Sequence, residues 1–221
     1  MFIVGDIAGQ YNALMRLVEG VDPADVLLLG DLVDRGPQSK EVVQWAIDNN
    51  VRTLMGNHEH MMIDYYRDTK IYDRNVWMMN GGWATNQQYE NDPETLKIHL
   101  EWIEKLPKFY EEPGLWVSHA PKNPTLNMDT VTDVSSIRRI DDTLLWNRGN
   151  PREMEGVFQV FGHNSHWGLR KFGEWGICLD ASRHEVLTGL HWPSKELKQV
   201  RYEEREADRK FNNEQRGGYC G

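Results

Sequence analysis

Cysteine is scarce in this chain: two in 221 residues, Cys178 inside an apolar stretch and Cys220 beside the last residue. Two thiols so placed build no disulfide framework, and neither is positioned to give a metal thiolate ligation. Cys178 reads as plain core and Cys220 has no assigned role. Long apolar runs are missing as well; none approaches the roughly 20 residues that a membrane span needs. An apolar strand pattern begins at Phe2 and leaves no place for a signal peptide, so a soluble, cytoplasmic protein with no membrane partner is expected. Positive charge is also short. With 25 Lys+Arg against 34 Asp+Glu the formal charge is −9, which disfavours a basic sheath around phosphate backbone and makes extended nucleic-acid binding unexpected. Arg138-Arg139 is only a small basic spot. If the chain handles phosphate, a local source of positive charge must attract it.

What the sequence does have is a series of short apolar runs that end in glycine or serine and a polar residue. Phe2-Ile3-Val4 precedes Gly5-Asp6, Val26 to Leu29 precedes Gly30-Asp31, and Thr53-Leu54-Met55 precedes Gly56-Asn57-His58. Leu115-Trp116-Val117 precedes Ser118-His119, and Val157 to Phe161 precedes Gly162-His163. Runs this short, bounded in this way, predict buried strands. Helical spacing links the first three: Ala13/Leu14/Leu17/Val18 closing at Gly20, and Val42/Val43/Ala46/Ile47 after Pro37. A third helix fits Leu96/Leu100/Ile103, opened by Asp92-Pro93-Glu94 and stopped at Pro107. The alternation makes the fold α/β. Further strands are expected at 177–179, 186–192 and 197–202. One domain over residues 1–202 is expected, with residues 60–110 as a helical insertion or cap and 203–221 as a charged tail.

In open α/β sheets ligands bind beyond the carboxyl ends of strands. Five strand ends here deliver Asp6, Asp31, Asn57 with His58, His119 and His163, all metal-ligand or acid–base side chains. Singly, each has a plainer reading: an aspartate can cap a turn, and a histidine after a strand can be a satisfied structural residue. Together they point to a metal centre. Carboxylate, imidazole and amide oxygen suit Mn²⁺, Fe or Zn, and the candidates outnumber what one ion takes. A two-metal centre about 3.5–4 Å across would stabilise the attacking and leaving oxygens of a phosphoryl displacement and supply the positive field that a −9 chain lacks.

Gly5-Asp6-Ile7-Ala8-Gly9-Gln10, Gly30-Asp31-Leu32-Val33-Asp34-Arg35-Gly36, Gly56-Asn57-His58-Glu59, Ser118-His119-Ala120 and Phe161-Gly162-His163 follow the order of motifs in the phosphoprotein phosphatase family of metallophosphoesterases. From residue 2 to about 192 the chain resembles the small bacterial and bacteriophage members, which include protein phosphatases and diadenosine tetraphosphatases. The resemblance implies a sandwich of two mixed β-sheets flanked by helices, and two divalent metal ions, Mn²⁺ first, with Fe, Zn and Ni as alternatives. It implies that Asp31 bridges the metals, Asp6 holds the first, and Asn57, His119 and His163 hold the second. His58 would then protonate the leaving oxygen with help from Asp34, while Arg35 and Arg148 grip the substrate phosphate. Guanidinium groups suit that grip because they match phosphate oxygens bidentately. Glu59 and His60 read as supporting residues or a helix start. The aromatic and methionine cluster from Trp77 to Trp83 reads as core, and Asn80-Gly81-Gly82-Trp83 also resembles a segment of the small phosphatases.

One position departs from the family: Ala8 stands where the first motif carries a metal-ligating histidine. Alanine cannot bind a metal, so a weakened first site is expected. Hydrolysis of phosphoesters, in the manner of a serine/threonine phosphatase, leads. The alternatives are a phosphodiesterase or dinucleoside polyphosphate hydrolase of the same fold, and an impaired relative that binds phosphorylated partners without turnover. The expected partner is a phosphoester, either a phosphoprotein or a small nucleotide.

Overall fold

The computed structural model describes residues 1–68, 74–122 and 144–203. Arg138-Arg139, Cys220 and the charged tail from residue 204 lie outside the described residues.

The apolar runs become two five-stranded mixed sheets. In the first, Phe2–Val4 (β1), Val26–Leu28 (β2) and Arg52–Thr53 (β3) run parallel. Val186–His191 (β9) lies antiparallel beside β1, and Glu196–Arg201 (β10) pairs with β9 at the edge. The second sheet comprises Phe109–Glu112 (β4), Leu115–Ser118 (β5), Phe158–Phe161 (β6), Arg170–Phe172 (β7) and Gly176–Cys178 (β8) in the order β4-β5-β6-β8-β7. Here β5, β6 and β8 are parallel, and the outer strands β4 and β7 are antiparallel to their neighbours. The sequence pattern predicts eight of these ten strands. It misses β4 and β7, which hold the sheet edges and are rich in charge, as edge strands commonly are. Phe109 of β4 is fixed by stacking on Trp116 at 4.8 Å between ring centroids.

Strand alternation divides the core. Ile3 of β1 enters the layer between the sheets, with Leu27, Leu29, Val117, Val160, Ile177 and Leu190. Its neighbours Phe2 and Val4 face the other way, onto helices. Those helices are Tyr11–Leu17 (α1), Ser39–Asp48 (α2), Asn57–Arg67 (α3), Arg74–Trp77 (α4), Trp83–Tyr89 (α5) and Pro93–Ile103 (α6), with a π-helical turn at Met78–Gly82. The predicted opening of α6 is seen at atomic level: Pro93 sits in the first turn and Asp92 accepts the Thr95 N–H at 3.1 Å. Cys178 is wholly buried, and burial pushes its thiol up, away from reactivity. Among the described residues no helix is long and apolar enough to cross a membrane.

The six parallel strands, three per sheet, expose their carboxyl ends along one side of the sandwich. That shared rim is where the polar residues gather.

Candidate metal centre and active site

Asp6 follows β1, Asp31 follows β2, Asn57 and His58 open α3 after β3, His119 follows β5 and His163 follows β6. All six are nearly or fully buried, although each has a strongly polar side chain. The glycine of the last motif is required by close approach: a Cβ on Gly162 would lie 2.0 Å from Asp6 Oδ1. In return, the backbone N–H of His163 donates to the Asp6 carboxylate at 3.1 and 3.3 Å. The ends of β1 and β6, one from each sheet, are thereby joined.

Donor-atom chemistry tests whether these residues fit a metal. One oxygen or nitrogen from each of Asp6, Asp31 and His119 lies within 4.8 Å of the others. His119 Nδ1 faces the Leu29 carbonyl at 3.1 Å, and a carbonyl can only accept, so the imidazole proton sits on Nδ1. Burial, opposed by the nearby Asp31 charge, holds the His119 pKa below its ordinary value, which favours the neutral ring. Its Nε2 lone pair therefore points at Asn57 Oδ1, 3.0 Å away, and at Asp31 Oδ1, 3.3 Å away. His163 Nδ1 reaches the same Asn57 oxygen at 2.8 Å. Burial, then the neighbouring His119 and Arg148, pull its pKa down to about 3. Two neutral imidazoles, an amide oxygen and a carboxylate oxygen thus converge without a proton to share between His119 and its two oxygen neighbours. A divalent cation resolves that crowding, and the residues fit one.

Asp31 is the most connected member. Burial would raise its pKa, but His119, His58 and His163 together hold it at about 2, so it is a carboxylate at any ordinary pH. Asp6 is pushed well upward by burial and by repulsion from Asp180 and Asp31. Asp180, buried at the end of the sixth parallel strand, is a residue sequence reasoning missed. The signal was present, since Ile177-Cys178-Leu179-Asp180 repeats the pattern of an apolar run followed by an acid. The Asp180 side chain is anchored by the Ser182 N–H at 3.0 Å and hydroxyl at 2.6 Å. Ala8 is buried beside the cluster at a positive φ of 50°, where its methyl offers no ligand.

A second constellation adjoins the first. His58 Nδ1 is 2.5 Å from Asp34 Oδ2, and the Asp34 carboxylate also accepts from Trp77 Nε1 at 2.9 Å and Thr85 Oγ1 at 2.8 Å. Asp34 is fully buried; its hydrogen bonds leave it one orientation, which fixes the His58 ring. Burial opposes protonation of His58, but Asp31 and Asp34 outweigh it and raise the pKa above its ordinary value. His58 Nε2 lies 2.9 Å from Arg35 Nη2 and 3.8 Å from Asp31 Oδ2, so it faces the metal cluster. Arg148 is exposed and close enough for its charge to help lower the His163 pKa. All nine sequence-predicted residues thus lie along one rim, Arg148 at its exposed margin.

Two features hold the loops in place. Glu59 coordinates no part of the cluster; its carboxylate accepts backbone N–H groups of Asp31 (2.8 Å), Leu32 (2.8 Å), Val33 (3.2 Å) and Gly56 (2.9 Å), buckling the second motif to the third. Burial and the Asp31 charge push it up to about 7 against those donors. Backbone strain is also concentrated here. Among the described residues nine non-glycine positions have positive φ, and five of them, Ala8, Asp31, Asp34, Arg35 and His163, belong to this rim.

The aromatic cluster expected as core divides in two. Trp77 is 1% exposed and holds Asp34, whereas Trp83 is 57% exposed. The cause is the intervening π-helical turn, in which Gly81 takes a φ of 108° and redirects the chain before α5.

The family model for calcineurin-like phosphoesterases matches residues 1–191. A symmetrical bis(5'-nucleosyl)-tetraphosphatase of Buchnera aphidicola is 32% identical over 144 residues, covering 59% of this chain and 47% of its own. Serine/threonine-protein phosphatase 1 of Salmonella typhimurium is 34% identical over 113 residues, covering 47% of this chain and 51% of the relative. The chain thus spans about half the length of these two relatives. Serine/threonine-protein phosphatase 2 of the same organism is 29% identical over 180 residues, covering 74% and 78%. Among solved structures, a cold-active protein-tyrosine phosphatase of Shewanella superimposes with a TM-score of 0.59 at 18% identity, covering 91% of this chain and 77% of its own. A metallophosphoesterase from Sphaerobacter thermophilus does so with a TM-score of 0.53 at 15% identity, covering 98% and 95%; both show likeness of fold. The chain belongs to the calcineurin-like phosphoesterases.

Proposed function

We propose that this chain hydrolyses phosphoesters with the help of two divalent cations. The observation that carries the reading is the meeting of the His119 Nε2 lone pair with Asn57 Oδ1 and Asp31 Oδ1 in a buried space. Asn57, His119, His163 and Asp31 would hold one cation. Asp31 and Asp6 would hold the other, with Asp31 shared and Ala8 leaving that site one ligand short. Mn²⁺ suits this set of imidazole, amide and carboxylate donors. When bound, the cations supply positive charge to the phosphoryl oxygens and lower the pKa of a water.

The protein's own groups do the rest. Arg35 and Arg148 bind the equatorial oxygens of the phosphoryl group, where guanidinium donors are worth most as negative charge develops. His58, held by Asp34 through Nδ1, delivers a proton from Nε2 to the departing oxygen. Asp31 and Asp34, against burial and the Arg35 charge, raise its pKa and so favour the protonated ring that this task needs. A substrate carried by a seryl or threonyl oxygen, or by a nucleotide, meets the same machinery. The relatives' names point to dinucleoside tetraphosphates and to serine/threonine phosphoproteins, and both belong among the substrates to try.

The test is a panel of a phosphopeptide, diadenosine tetraphosphate, a 2',3'-cyclic nucleotide, a bis-ester and p-nitrophenyl phosphate, assayed with Mn²⁺ and with chelator. Turnover of at least one compound, abolished by chelator and by His58→Ala, is expected. No turnover at saturating Mn²⁺, with phosphate binding unaffected by His58→Ala, would favour a binding protein.

A further inference from the structure

We propose that a pocket beside Arg35, walled by Trp83 of α5, receives the base of a nucleotide whose phosphate occupies the proposed phosphoryl site. The inference rests on that site and adds the identity of the group attached to the phosphate.

The pocket has a volume of about 310 Å³ and is lined by Arg35, Pro37, Trp83, Ala84, Gln87 and Gln88. It adjoins the chemistry because Arg35 is shared: this residue lines the pocket, and its guanidinium Nη2 is 2.9 Å from His58 Nε2. The group delivered here is therefore the one attached to the leaving oxygen, which His58 faces. Its size is at the lower end of small-molecule sites, suited to a base and its sugar.

The wall is built rigidly. Arg35 donates its backbone N–H to Gly81 O at 3.1 Å, and a Cβ on Gly81 would lie 2.6 Å from Arg35 Cγ. The same turn that braces the Arg35 backbone launches α5, so that backbone and the start of α5 are tied to one another. Gln88 fastens the other side: its amide donates to Gly36 O and Ala84 O at 3.3 and 2.9 Å and accepts from Lys40 N at 3.0 Å. With Gln88 so occupied, the exposed Gln87 is left to meet a ligand. It lies one helical turn beyond Trp83 and so on the same face.

Trp83 is 57% exposed although an indole gains much from burial. An exposed indole braced next to a phosphate-gripping arginine is a stacking surface, and every base has a face to offer it. A neutral amide beside the ring can pair with the donor and acceptor edge of a base, which a plain phenyl ring lacks. Among the described residues the pocket lining carries no acid and no cation besides Arg35, so none of them selects a charged peptide.

The test is calorimetric binding of adenosine 5'-monophosphate, inorganic phosphate and phenyl phosphate, in buffer containing Mn²⁺, to the native chain, Trp83→Ala and Trp83→Phe. Trp83→Ala should weaken the nucleotide by roughly five- to a hundredfold, with phosphate unchanged and phenyl phosphate altered less than about threefold, a bound set by its lack of a second ring and a polar edge. Trp83→Phe should fall between native and alanine. Three results would each overturn the proposal: nucleotide affinity indifferent to Trp83, parallel weakening of nucleotide and phosphate, or equal weakening of nucleotide and phenyl phosphate. If the native chain fails to bind phosphate at all, the phosphoryl site itself is refuted and the pocket with it. Retained phosphate binding with a nucleotide indifferent to Trp83 refutes the pocket alone.

Discussion

His119 Nε2 faces Asn57 Oδ1 across 3.0 Å while its Nδ1–H is committed to the Leu29 carbonyl, which sets two lone pairs against each other in a buried space. The arrangement is unfavourable without a cation and favourable with one. Chelation should therefore destabilise the folded protein. Mn²⁺ at a hundred times its dissociation constant should raise the unfolding free energy by about 2.7 kcal/mol. Thermal unfolding with chelator and with graded Mn²⁺ checks this, and a midpoint indifferent to Mn²⁺ would count against the centre.

The Asp34 contact fixes the ring of His58 and supports its charge. Asp34→Asn keeps an acceptor for Trp77 but loses the charge that favours the imidazolium. Turnover should fall by about 10²-fold, at the low end of what a general acid contributes. The loss should be larger for alkyl phosphates than for p-nitrophenyl phosphate, whose leaving group needs little protonation. Equal losses across leaving groups would assign Asp34 a purely structural role.

Much of this was legible in the sequence, for identifiable reasons. Buried parallel strands need unbroken apolar runs, and Gly162 cannot carry a side chain where Asp6 approaches; those demands mark β1, β2, β5 and β6 and their polar ends. Asp180 was missed because a lone aspartate after a strand is ambiguous until the sheet order shows β8 parallel to β6. Strands β4 and β7 were missed because edge positions tolerate charge. Trp83 was misread as core, since nothing in local spacing announces that a π-helical turn at Met78–Gly82 will redirect the indole.

Ala8 is buried, with a positive φ, next to Asp6 and Asp31. Ala8→His should add a ligand to the weaker site, so that a second Mn²⁺ per chain is retained at low micromolar concentration and p-nitrophenyl phosphate is hydrolysed faster. Metal counting after gel filtration and steady-state rates decide it. A native chain that already retains two ions, at the same rate as the variant, would contradict the reading.

Away from the site, His99 of α6 accepts the Tyr89 hydroxyl at Nδ1, 2.6 Å, and donates from Nε2 to Gln44 Oε1 at 2.9 Å. The bond accepted at Nδ1 requires the neutral ring, since protonation would remove that lone pair. Burial, then the Lys40 charge, lowers its pKa from 6.5 to about 4. Between those values the unfolded chain binds the proton that the folded chain refuses, so the stability His99 contributes is complete above pH 6.5 and lost as pH falls to 4. Urea unfolding of native protein and His99→Gln across that window should show a shallower acid loss in the variant. Identical pH slopes would exclude His99 as a cause.

The most direct measurement is equilibrium dialysis of Mn²⁺ against the native chain and Asn57→Ala, which removes the amide oxygen on which His119 and His163 converge. The native chain should retain at least one Mn²⁺ and the variant should lose that tight site. A native chain that retains none, or a variant that binds Mn²⁺ as tightly as native, would contradict a buried metal centre at the rim of the sandwich.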